Sequence, residues 1–172
     1  MLALEQIRAL YEYNEWANGH VLDAASNLSE EELAREQGAS FGSAQGNLWH
    51  LVWAQAIWLA RWTGSKPVER PDPEQGRAFQ MIREAYQTSH ESLRSFVASL
   101  TEDDLPRVIS YVDSRGDAQQ AVLWKTMLHV VNHGTHHRAE TALLLTMLGQ
   151  PPRQLDYAFF ELEREGAPPR LT

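Results

Sequence analysis

The sequence predicts an all-α protein, a four-helix bundle, and three observations lead to this prediction. Apolar residues recur at helical spacing over four long segments, residues 2–28, 44–63, 73–100 and 121–148. Short linkers join these segments, which places consecutive helices side by side. The chain has 172 residues, enough for a sizeable core. We therefore interpret residues 1–172 as one bundle domain.

Residues at the helix ends support these boundaries. Ser43 is a plausible N-cap for the helix 44–63, and Gly64 follows its last turn. Gly149, with Pro151 and Pro152 after it, ends the last long helix. A further short amphipathic helix is predicted over residues 154–163.

Two similar capping motifs suggest that the bundle consists of two related halves. Ser29 and Glu32 form a predicted capping box, and Thr101 and Asp104 repeat the pattern about 70 residues later. Each motif follows one long helix and precedes another. The pattern indicates either helical-hairpin halves related by a pseudo-twofold axis or independent use of a common cap.

A short β-hairpin is predicted before the last long helix. Residues 108–112 alternate between apolar and polar side chains, and residues 113–117 form a turn. Residues 118–122 either return as a second strand or begin the helix. Asparagine is a mediocre helix former, so Asn14 and Asn18 on the first helix are each expected to be exposed or hydrogen-bonded, and solvation is favoured for Asn18.

Composition and charge exclude several functions. The net charge of −8 argues against nucleic acid or an anionic membrane as a partner. No apolar run is long enough to span a membrane, and the first residues do not resemble a signal peptide, so a cytoplasmic location is expected. The chain has no cysteine, which excludes disulfides, thiolate ligands and a cysteine nucleophile.

The last long helix carries the main candidate for a functional site. Four of the seven histidines lie within residues 129–137. His133 and His137 are separated by one helical turn at the edge of the apolar face, so both rings can reach one metal ion. Two histidines are a weak signal, and a third ligand is required.

His50 is the candidate for the third ligand. It lies in the middle of the helix 44–63, which is apolar over more than half of its circumference. A histidine there is either a hydrogen-bonded core residue or a ligand, and the second histidine-bearing helix favours the ligand. Glu140, one turn after His137, is a candidate hydrogen-bond acceptor for a ligand histidine, an additional ligand or a solvated charge.

Four tryptophans in the same helix have two interpretations. Trp49, Trp53, Trp58 and Trp62 could line an aromatic substrate pocket. At helical spacing, the more common role is in a core or a dimer interface, which is the interpretation that we favour.

Nearly the whole chain resembles the DinB/YfiT-like family of metal-dependent enzymes. The resemblance rests on Tyr13-Asn14-x-Trp16-Ala17-Asn18, on the His50 segment, on residues 100–105 and on residues 129–138. In that family, one histidine of the second helix and two of the fourth bind the metal, which implies His50, His133 and His137 as ligands. The resemblance also implies a four-helix bundle and a homodimer.

The family resemblance also implies a reaction. Related proteins are thiol S-transferases or thiol-dependent isomerases that use low-molecular-weight thiols such as bacillithiol or mycothiol. A divalent ion, zinc or nickel, and an external thiol as co-substrate are therefore expected, in detoxification or the stress response. The family often has Gly-Gln after His-His-Arg, whereas this chain has Ala139-Glu140, and an acid there could raise the metal affinity or alter the pocket for the small-molecule substrate.

Two other functions agree with the same residues. In a metal-dependent hydrolase, the ion would activate water, and Glu140 would act as the base if it faced the open ligand position. In a non-catalytic protein, the histidine site would be structural and the bundle would act by binding.

Overall fold

In the computed structural model, residues 4–66 and 78–166 are described, and they are mostly helical. The elements in chain order are α1 (Leu4–Ala25), α2 (Glu30–Ala34), α3 (Ala44–Thr63), α4 (Phe79–Ser99), β1 (Val108–Val112), β2 (Ala118–Val122), α5 (Leu123–Met147) and α6 (Tyr157–Arg164). A 3-10 turn, Glu102–Asp104, lies between α4 and β1. The predicted start of the third helix, residues 73–77, and the tail after residue 166 lie outside the described residues.

The β-hairpin determines where α5 begins. Strands β1 and β2 pair antiparallel, with Val108 opposite Val122 and Ile109 opposite Ala121. The predicted hairpin is confirmed, and the last long helix begins at Leu123 because the two preceding residues belong to β2. The other predicted helix ends are close: Ser43 accepts a hydrogen bond from the Gly46 N–H at 3.1 Å, and Gly64 ends α3 at φ 67°.

The four long helices pack side by side. Helix α5 contacts α1 and α3, and α4 contacts the same two helices. Apolar side chains fill the space between them in two large clusters, one toward the hairpin and one toward α2. Burial of a leucine- or isoleucine-sized side chain stabilises the fold by about 1.5–3 kcal/mol, so these clusters hold α3 and α5 together. Within the described ranges, no helix combines the length and apolar character needed to cross a membrane.

Both predicted capping motifs form hydrogen bonds. Glu32 N–H donates to Ser29 Oγ at 3.2 Å, and Asp104 Oδ2 accepts from Thr101 N–H at 2.8 Å. The first motif begins the helix α2, whereas the second begins only the 3-10 turn. The pseudo-twofold relation of the halves stays a prediction.

A buried arginine connects α1 to α5, and it corrects the expectation for Asn18. Arg138 has 1% of its surface exposed and donates hydrogen bonds to Asn14 Oδ1 and to Asn18 Oδ1, the latter at 3.1 Å. Asn18 is therefore buried, because the guanidinium requires oxygen acceptors in the interior. Gly134, on the same helix, leaves room for this network, since a Cβ there would lie 2.8 Å from Asn14 Oδ1.

Candidate metal centre

The structure brings the three predicted histidines together where α3 and α5 pack. His50 Nε2 lies 3.2 Å from His133 Nε2, and each of these rings lies 4.4 Å, centroid to centroid, from the ring of His137. One ring nitrogen from each residue lies within 4.8 Å of the others. All three side chains are partly exposed. The group could therefore hold a metal ion that remains accessible from outside.

The separation of the ring nitrogens and the protonation state of the imidazoles are those required to bind a metal ion. Two nitrogens bound at 2.0–2.1 Å to a tetrahedral zinc ion lie roughly 3.3 Å apart, close to the separation between His50 and His133. Burial, together with the neighbouring His137 and His129, lowers the pKa of His133 to about 4. The imidazole is therefore neutral at pH 7, which is the form that binds metals.

Glu140 contacts both the loop before α3 and the histidine group. Its Oε1 accepts hydrogen bonds from Ser40 N–H at 2.8 Å and from Ser40 Oγ at 2.9 Å, and its Oε2 lies 3.6 Å from His137 Nδ1. Burial alone would raise the pKa of Glu140, but Ser40, the nearby amide of Asn47 and His137 outweigh it and lower the pKa. An ionised carboxylate thus faces Nδ1 of His137 and leaves the Nε2 of that ring for a metal.

An aromatic side chain covers His50. The ring of Phe41 stacks on the imidazole at 3.9 Å with an interplanar angle of 16°, and it lies 5.4 Å from the ring of His137. Neither Phe41 nor Ser40 is among the site residues predicted from the sequence, because no helical spacing relates this segment to the histidines. Gly38 and Gly42, whose φ angles are 69° and 78°, indicate a tight turn that brings this segment back toward α3.

The remaining histidines of α5 lie outside the group of three. His136 is exposed, and His129 lies 5.5 Å from His133 but packs against Trp58 at 5.2 Å.

The four tryptophans of α3 divide between the two expected roles. Trp62 is buried in the core, where its indole N–H donates to Thr126 Oγ1 at 2.8 Å. Trp49 and Trp53 line a cavity of about 610 Å³ between α3 and α4. The core interpretation therefore describes Trp62, and Trp58 packs against the same core cluster. Trp49 and Trp53 border a cavity, and its use as a substrate pocket stays a prediction.

The low pKa of His133 predicts how the stability of the metal-free protein depends on pH. Between pH 6.5, the ordinary pKa of an unfolded histidine, and about 4, the unfolded chain binds a proton that folded His133 does not. The free energy of unfolding should therefore decrease as the pH falls through this range. Urea unfolding with a chelator at pH 7 and pH 5 measures the decrease.

One variant assigns this pH dependence to His133. His133→Gln should lose less stability than wild type between pH 7 and pH 5. Equal losses in wild type and His133→Gln would contradict the prediction.

Comparisons with known proteins agree with this fold. The chain is 21% identical over 158 residues to Protein DinB of Bacillus subtilis (strain 168), covering 88% of this chain and 91% of that protein. A DinB-like protein from Bacillus cereus ATCC 10987 superposes with a TM-score of 0.69 at 20% identity, over 87% of this chain and 95% of that one. A conserved protein from Enterococcus faecalis superposes with a TM-score of 0.64 at 12% identity, over 84% of this chain and 96% of that one.

The solved structures establish the similarity of the fold, and the family assignment rests on the sequence. The family model described as DinB family matches residues 1–168, which is almost the entire chain. This range includes the three histidines, Glu140 and the Arg138 network. The chain therefore belongs to the DinB family.

Proposed function

We propose that this protein is a metal-dependent enzyme in which His50, His133 and His137 bind a divalent ion. The observation that carries the proposal is the convergence of three partly buried imidazoles, with two Nε2 atoms 3.2 Å apart. Three neutral protein ligands leave one position for a substrate, as in catalytic zinc sites. Imidazole also suits nickel, so zinc and nickel are both candidates.

The favoured reaction is the transfer of an external thiol to an electrophile. The chain has no cysteine, so the sulfur must come from a low-molecular-weight thiol. A bound ion would lower the pKa of this thiol and favour the thiolate. The thiolate sulfur would form a bond to an electrophilic carbon, whose leaving group would depart with the bonding electrons.

The surrounding residues support this reaction by fixing the ligands. Glu140 faces His137 Nδ1 and would hold the ring so that Nε2 points to the ion. Phe41 stacks on His50 and limits rotation of that imidazole. Ser40 in turn holds Glu140 through two hydrogen bonds.

These contacts favour thiol transfer over metal-dependent hydrolysis. A hydrolase would need Glu140 to act as a base toward a water in the open ligand position. One carboxylate oxygen of Glu140 accepts hydrogen bonds from Ser40, and the other faces Nδ1 of His137. This placement suits a residue that orients the His137 ring. The binding-only alternative is less favoured because the histidine site is partly exposed.

The pairwise packing of α1, α3, α4 and α5 supports a four-helix bundle as the scaffold of this site. The homodimer and the role in detoxification or stress stay predictions from the family resemblance.

An activity assay tests the proposed reaction. Protein loaded with zinc or nickel is incubated with a thiol, from a panel that includes bacillithiol and mycothiol, and with monochlorobimane. The product forms as the S–C bond replaces the C–Cl bond, chloride leaves and the thiol proton passes to solvent. Product formation should require metal and should fall to background in His137→Ala.

The Glu140→Gln variant distinguishes thiol transfer from metal-dependent hydrolysis, in which Glu140 would be the base. At saturating metal it should retain thiol transfer within about tenfold, because an amide can still orient His137. Thiol transfer that is equally fast in metal-free protein would refute the proposal.

A further inference from the structure

A positively charged side chain lies between two aromatic rings near the hairpin. The Arg61 guanidinium carbon lies 4.6 Å from the ring centroid of Trp58 and 4.7 Å from that of Tyr111. One guanidinium nitrogen donates to the Val112 carbonyl at 2.9 Å. A guanidinium has five N–H donors. The two rings and this hydrogen bond therefore fix its plane and leave most of its donors for another acceptor.

Among residues 4–66 and 78–166, none of the ion pairs involves Arg61. The acidic group that contributes to its electrostatic surroundings is Asp113, at the hairpin turn. The carboxylate of Asp113 is occupied by its own turn, where it accepts from Arg115 N–H at 2.9 Å and Asp117 N–H at 3.0 Å. In a chain of net charge −8, an arginine without an acidic partner is a distinct local site for an anion.

A continuous row of rings leads from Arg61 to the histidine group. Trp58 packs edge-on against His129 at 5.2 Å, and His129 lies 5.5 Å from His133. His129 is exposed, so its ring nitrogens can form a hydrogen bond with a ligand that lies along this row.

The distance between Arg61 and the three histidines sets the size of a ligand that can contact both. Trp58 is eight residues after His50 on α3, roughly 12 Å along the helix axis. The Arg61 side chain leans back over Trp58, so its charge lies at about that level. A small acid cannot reach both ends, whereas a tripeptide-sized molecule can.

We propose that Arg61, with Trp58 and His129, binds the carboxylate end of an extended thiol whose sulfur reaches the three histidines. The proposal rests on the proposed thiol chemistry and specifies its substrate class: a low-molecular-weight thiol with a carboxylate remote from the sulfur. The guanidinium forms charge-assisted hydrogen bonds to the carboxylate. Trp58 and His129 contact the middle of the molecule.

Calorimetric titration of zinc-loaded protein with three probes tests the proposal. The probes are glutathione, its diethyl ester, in which both carboxylates are blocked, and the analogue with methyl in place of the thiol. Comparison of glutathione with the ester measures the contribution of the carboxylates. Comparison of glutathione with the methyl analogue measures that of the thiol, on which the proposed function depends.

In wild type, glutathione should bind about tenfold more tightly than the ester. Arg61→Gln should abolish this preference, and Arg61→Lys should retain part of it because the charge remains. Arg115→Gln, which removes an exposed arginine from the same hairpin, should leave the preference unchanged. Thermal unfolding checks that each variant folds.

The results distinguish a failure of the Arg61 site from a failure of the proposed function. Equal affinity of wild type for glutathione and the ester, or a preference that survives in Arg61→Gln, overturns the Arg61 site and leaves the proposed function intact. A carboxylate preference that depends on Arg61, with the methyl analogue binding as tightly as glutathione, supports the site and counts against thiol chemistry at the metal. Absence of binding by all three probes overturns the proposal.

Discussion

Replacing Arg138 with methionine should lower the free energy of unfolding by roughly 3 kcal/mol. Arg138 is almost fully buried and donates to Asn14 and Asn18 on α1 and to Thr135 at 3.0 Å on its own helix. Its guanidinium also lies 5.3 Å from the ring of Tyr13. Methionine leaves two buried amide oxygens without this donor, and each unpaired group costs about 1–3 kcal/mol. Urea unfolding measures the loss.

A double variant identifies the cause of this loss. If the unpaired oxygen of Asn18 is responsible, Arg138→Met combined with Asn18→Leu should be less destabilised than the sum of the two single changes. Arg35→Met, at an exposed arginine, should change stability by less than about 0.5 kcal/mol. A loss below about 1 kcal/mol in Arg138→Met, or strict additivity in the double variant, would refute this account.

Gly46→Ala should both destabilise the fold and weaken metal binding. A Cβ at position 46 would overlap the backbone carbonyl oxygen of Phe41, and backbone atoms cannot rotate away. The loop would have to shift, and with it Phe41 on His50 and Ser40 on Glu140. We expect about 2–3 kcal/mol less stability and about 10–100-fold weaker zinc binding, as for loss of outer-shell contacts.

Gly19→Ala is the matched control for this change. Gly19 lies in the interior of α1, and within residues 4–66 and 78–166 a Cβ built there would meet no atom within 4 Å beyond its chain neighbours and the adjacent backbone of α1. Alanine is a better helix former, so this variant should be about 0.5–1 kcal/mol more stable than wild type. Its zinc affinity should be unchanged. If Gly46→Ala behaves like Gly19→Ala, the loop does not support the site as described.

The elements that sequence analysis predicted well depend on local patterns. The spacing of His133 and His137 places both on one helix face, and the alternation of residues 108–112 predicts a strand. Ser43 and Gly64 mark the ends of the helix that carries His50. Each of these features is determined by residues that lie close together in the sequence.

The features that sequence analysis missed depend on contacts between distant segments. Asn18 is buried because Arg138, 120 residues later, needs its oxygen as an acceptor. Ser40 and Phe41 reach the site because a tight turn folds back on α3, and the close approach of Gly46 permits it. Nothing in the spacing of residues along the chain indicates these pairings.

A competition titration of zinc against a chromophoric chelator tests the central claim most directly. Wild type should bind about one ion per chain. His50→Ala, His133→Ala and His137→Ala should each bind at least roughly a hundredfold more weakly, because each removes one of three ligands. His136→Ala, an exposed neighbour on α5, should bind like wild type. Absence of zinc and nickel uptake by wild type, or wild-type affinity in any of the three variants, would contradict the assignment of this metal centre.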